Sequence, residues 1–65
     1  MSADESLSKA EGLLARLEAA RARLESTDDP DQAIEVLQEL ADLAREIEAE
    51  LQRARRASEA DAADA

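Results

Sequence analysis

Apolar residues recur at steps of three and four in two separate stretches of the chain, the spacing of one face of an α-helix. In the first, from about Glu5 to Glu25, Leu7, Ala10, Leu14, Leu17, Arg21 and Leu24 trace the a and d positions of a heptad. Leu13 and Ala20 widen that seam into a face. Arg21 interrupts it, although its aliphatic stem can lie along the seam while the guanidinium reaches water. Gly12 falls inside this helix, where glycine costs about 0.5–1 kcal/mol relative to alanine. It reads as a tolerated surface glycine, a close helix crossing being the alternative. In the second stretch, from Pro30 to about Ala57, Ala33, Leu37, Leu40, Ala44, Ile47, Leu51 and Ala54 alternate four and three apart. Ile34 with Ala41 flanks one side of this seam, and Val36 with Leu43 flanks the other. So wide a stripe suits a bundle or a partner groove better than a narrow two-stranded seam.

Ser26, Thr27, Asp28, Asp29 and Pro30 break the pattern. Asp29 is the predicted N-cap of the second helix, with Pro30 at its first position and Gln32 at its third. This is a capping-box arrangement with Asp in place of Ser or Thr. Asp31 adds negative charge where the helix dipole favours it. After Ala57 no large apolar residue remains, and Ser58 to Ala65 reads as a frayed acidic tail. A loop of residues 26–29 is too short for anything but antiparallel neighbours. The expected fold is therefore all-α, one antiparallel two-helix hairpin with coiled-coil-like packing over residues 1–65. At ~1.5 Å per residue its helices would be about 31 Å and 42 Å long.

Two helices cannot cover both of their wide apolar faces with each other. The hairpin is accordingly expected to be completed by oligomerisation or by a helical partner. The residues expected at that interface are Leu7, Leu14, Leu17, Leu24, Ile34, Leu37, Leu40, Leu43, Ala44, Ile47 and Leu51.

Composition sharpens this picture. Sixty-five residues lie near the size at which a lone core is marginal, and no Phe, Tyr or Trp is present to anchor one. Leu, Ile and Val make up roughly 18% of the chain, which with a net charge of −9 is a composition compatible with disorder. Ala, Glu, Lys, Leu and Arg supply about two-thirds of the residues, the signature of a long helix or coiled coil. The sustained periodicity decides for the helix.

Charge and residue types narrow the function. The net charge of −9 disfavours direct nucleic-acid binding, which needs clustered Lys or Arg. Arg53, Arg55 and Arg56 form the one basic cluster, and near a helix C-terminus it complements the dipole. With neither Cys nor His, the chain offers no disulfide, no ordinary zinc site and no nucleophile–base pair. Paired carboxylates are plentiful, but acid–base catalysis by them requires a cleft that a hairpin does not form. Asp28, Asp29 and Asp31 resemble a sparse calcium loop, yet the glycine and the distant Glu of such loops are missing, so capping explains them better. No catalytic residue, cofactor or metal is expected. Met1 to Ser6 is polar and acidic, and no apolar run exceeds three residues, so neither a membrane span nor a leader is expected and a cytoplasmic location follows by default. Glu35, Glu39, Asp42 and Glu46 form an acidic stripe on the second helix, read as a solvated face or, alternatively, as a docking strip for a basic partner.

The central stretch resembles the small subunit of bacterial exodeoxyribonuclease VII, a family with the same helix–short loop–helix layout. The loop of that family typically reads Leu-Glu-Ser-Gly-Asp, an apolar residue, often Pro, then acidic residues and Ala-Leu. Leu24, Glu25, Ser26, Thr27, Asp28, Asp29, Pro30, Gln32, Ala33 and Ile34 match it after a one-residue deletion. Leu43, Ala44, Arg45, Leu51, Gln52 and Ala54 resemble the downstream pattern, and Leu14, Leu17 and Glu18 the upstream one. The family's usual phenylalanines fall at Ala10 and Leu37, and its glycines at Leu40 and Thr27. The resemblance implies a non-catalytic subunit, several copies of which bind helical extensions of a large nuclease subunit that degrades single-stranded DNA. Chemistry, metal and DNA contacts would belong to that large subunit. Read from the residues alone, a self-assembling scaffold or adaptor, such as a homodimeric four-helix bundle, remains open. So does a small acidic regulator that mimics nucleic acid.

Overall fold

The computed structural model describes residues 2–64, with side chains described over residues 2–60. Two helices, α1 (Ala3–Ser26) and α2 (Pro30–Asp64), run antiparallel and pack against each other along the length of α1. The hairpin measures 54 × 14 × 13 Å, a rod set by the longer helix.

The ends of the helices follow from their caps. Ser2 stands in extended backbone, and its hydroxyl accepts from the Glu5 amide at 3.1 Å. Ser2-Ala3-Asp4-Glu5 is an S-x-x-E capping motif, and it starts α1 two residues earlier than apolar periodicity indicates. The carboxylate of Asp29 accepts from the Asp31 amide at 3.0 Å, and its carbonyl accepts from Ala33 at 2.9 Å. This is the predicted N-cap, with Pro30 as first helical residue. Gln32, however, does not return to the Asp29 amide as a reciprocal capping box would. The Asp29 amide donates to the Thr27 hydroxyl at 3.4 Å, and that hydroxyl donates to Gln32 Oε1 at 3.3 Å. Thr27 is thus inserted as a relay between them. At the other end, α2 continues to Asp64, past the Ala57 boundary and through the segment expected to fray. Alanine and glutamate are strong helix formers, so local propensity sustains a helix there that no apolar stripe demands.

The inner seam is a heptad on both strands of the hairpin. On α1 it comprises Ser6, Ala10, Leu13, Leu17, Ala20 and Leu24, and on α2 Ala33, Val36, Leu40, Leu43, Ile47, Glu50, Ala54 and Ala57, all buried or half-buried. On α1 this is the predicted seam with every second member replaced by its preceding neighbour: Ser6 for Leu7, Leu13 for Leu14, Ala20 for Arg21. On α2 Val36, Leu43 and Glu50 likewise stand in for Leu37, Ala44 and Leu51. Several positions carry small side chains, which let helix axes approach closely. An ion pair between Arg23 and Glu39 spans the two helices, and Leu13 and Glu50 line one inter-helix groove. The same register sets Ala20, fully buried, level with Leu43, which is 2% exposed. Leu43 is the one large aliphatic residue in the buried core of the described residues, the rest being Ala10, Ala20 and Ala54.

Candidate helix-docking face

Residues that follow a seam position lie about 100° further round the helix. Because α1 and α2 run in opposite directions, that rotation carries both sets to the same broad side of the hairpin. The residues that precede the seam positions collect on the other side. The two sides differ sharply in chemistry.

On the following side stand Leu7 and Leu14 from α1, with Ile34, Leu37, Ala41, Ala44 and Leu51 from α2. Leu7, Leu14, Ile34, Leu37 and Leu51 are 44% to 55% exposed, the large hydrophobic residues left open in the described part of the chain. On the preceding side stand Lys9, Gly12, Arg16 and Arg23 from α1 opposite Glu35, Glu39, Asp42, Glu46, Ala49 and Arg53 from α2. Two observations confirm this partition. The Arg23–Glu39 pair crosses the hairpin on the polar side, and Lys9, Gly12 and Arg16 share a groove there with Glu46, Ala49 and Arg53.

The eleven residues expected at a partner interface therefore divide. Leu7, Leu14, Ile34, Leu37, Ala44 and Leu51 are exposed and available, whereas Leu17, Leu24, Leu40 and Ile47 are half-buried between α1 and α2 and Leu43 is buried there. The acidic stripe lies on the polar side, where Glu39 pairs with Arg23 and Asp42 with Arg45 at 2.9 Å. Half of its charge is thus already partnered within the chain, which favours a solvated, locally neutralised face over a docking strip. Gly12 has open space where a Cβ would stand, so no close helix crossing is made there. Arg21 pairs with Glu25 one turn on, at the surface.

Periodicity did not single out two features. Glu50 occupies an inner-seam position, its side chain 9% exposed, with one carboxylate oxygen paired to Arg53 and Oε2 buried without a partner. Its step of three from Ile47 and four to Ala54 was legible as a heptad position, but the apolar neighbour Leu51 drew the seam away. The second feature is a row of acids on the apolar side of α1. Asp4, Glu11, Glu18 and Glu25 follow one another at intervals of seven and interleave with Leu7, Leu14 and Arg21.

Among the described residues no group of three or more acidic, Cys or His side chains is arranged to hold a metal ion. No described helix is long and apolar enough to cross a membrane. Compared with known proteins, the chain matches no family model, no curated protein and no solved structure.

Proposed function

We propose that this chain is a non-catalytic helical-hairpin subunit that docks through its apolar side onto helices of a larger protein. The larger protein is best taken as the catalytic subunit of a single-stranded-DNA exonuclease, as the resemblance of the loop and the second helix to the exodeoxyribonuclease VII small subunit suggests. One observation carries the reading: five large aliphatic side chains stay about half exposed on one side, while the other side is polar and bridged by an ion pair. Fully burying a Leu or Ile side chain is worth roughly 1.5–3 kcal/mol, so each half-exposed one leaves about 1 kcal/mol unrealised, about 5 kcal/mol in all. That is near the low end of the ~4–15 kcal/mol that association costs. The apolar side is therefore a real driving force, yet one that works only with further contacts from its partner.

The test is co-expression with the exonuclease VII-type large subunit of the same genome. The hairpin should elute with the large subunit in size-exclusion chromatography and should show no nuclease activity alone. Leu37→Asp, which places a charge on the docking side, should release it while leaving it helical. Co-elution that survives both Leu14→Asp and Leu37→Asp would show that another surface is used.

A further inference from the structure

The apolar side carries its own statement about the partner's charge. Along α1 the leucines alternate with Asp4, Glu11, Glu18 and Glu25, one acid per heptad, and Glu48 adds a fifth from α2. The two cations on this side are already engaged, Arg21 with Glu25 and Arg55 with Glu59 at 3.1 Å. Asp4, Glu11, Glu18 and Glu48 make no ion pair among the described residues. A second copy laid on this side with α1 against α1 would bring acid rows together, and in any arrangement it would join two chains of net charge −9. Like charges placed beside an apolar seam select against that pairing, as flanking charges do in coiled coils.

We infer that the occupant of this side is a helix of a different protein, with a heptad apolar stripe flanked by Lys or Arg at seven-residue spacing. This rests on the docking function proposed above and deepens it by assigning the partner's charge and excluding a second copy. The apolar stripe supplies contact area, and the acid row sets partner choice, register and on-rate. The partner's basic residues would run beside Glu11 and Glu18, with Leu14 between them.

The probe is a pair of synthetic four-heptad helices with the same Leu/Ala stripe, one flanked by Lys and one by Glu. Binding to the full chain is read by fluorescence anisotropy at low and high salt. The Lys helix should bind at least tenfold more tightly than the Glu helix, and the gap should shrink at high salt. The double variant Glu11→Lys, Glu18→Lys should reverse the preference. Glu35→Lys with Glu46→Lys makes the same change of net charge on the polar side and should leave the preference in place. Equal loss of preference in both double variants would mean that only net charge matters, and would overturn the inference. Equal binding of the two helices, lost in Leu37→Asp, would overturn the charge assignment while leaving apolar docking intact. Binding of neither helix, together with a concentration-dependent dimer that Leu37→Asp dissolves, would overturn both and make the second copy the occupant.

Discussion

Glu50 is the residue whose replacement tests the packing most directly. It stands in the inner seam among apolar positions, and only one of its carboxylate oxygens has a partner. An unsatisfied buried acceptor costs about 1–3 kcal/mol. The pair to Arg53 returns little, because the Arg53 side chain is 54% exposed and a pair so open to water is worth ~1 kcal/mol at most. Leucine at this position would remove the orphan oxygen, bury a side chain worth roughly 1.5–3 kcal/mol and keep helix propensity nearly unchanged. After subtracting the lost pair and up to ~1.5 kcal/mol for imperfect fit, Glu50→Leu should stabilise the hairpin by about 2 kcal/mol. In a chain of this size that is a rise in Tm of roughly 8–16 °C. Thermal melts followed by circular dichroism at 222 nm, at two protein concentrations to separate folding from association, would measure it. Glu50→Gln, which discharges the group but leaves it polar, should move Tm less. An unchanged or lowered Tm for Glu50→Leu at both concentrations would refute the reasoning. It would mean that Oε2 is satisfied in solution, by Lys9 or Arg16 across the groove or by water.

Three further outcomes follow from the same geometry. Leu43→Ala removes the one large aliphatic residue of the buried core and should cost about 2–4 kcal/mol, enough to leave much of the chain unfolded at 37 °C in urea or thermal titrations. Gly12→Ala meets only open space and should add about 0.5–1 kcal/mol, seen as a Tm higher by a few degrees. Leu37→Asp and Ile47→Asp should behave differently: the first should keep the helical signal and lose partner co-elution, whereas the second, between the helices, should lose both. Equal retention of helicity in the two variants would place Ile47 outside the seam.

Two helices, their antiparallel pairing and the turn at Asp29-Pro30 are determined by the sequence alone. The reason is local: heptad steps fix the helices, Asp29 and Pro30 can only start one, and a loop of residues 26–29 leaves no other route back. The start of α1 was equally legible in Ser2 and Glu5, a cap that apolar periodicity ignores. Which apolar row faces inward was decided only by the tertiary structure. Each helix carries two adjacent rows one residue, or about 100°, apart, and periodicity fits either. Ala10, Ala33 and Ala54 belong to either row. On α1 packing takes the row that puts the small Ser6 and Ala20 inside in place of Leu7 and Arg21, which lets the helices approach closely. On α2 it takes Val36, Leu43 and Glu50 in place of Leu37, Ala44 and Leu51. The leucines at positions 7, 14, 37 and 51 are thereby turned outward, along with Ile34. That choice traps the Glu50 carboxylate and gathers the remaining large aliphatic residues on one side. A pair of helices has only one mutual seam, and whatever apolar row it leaves out must face something else.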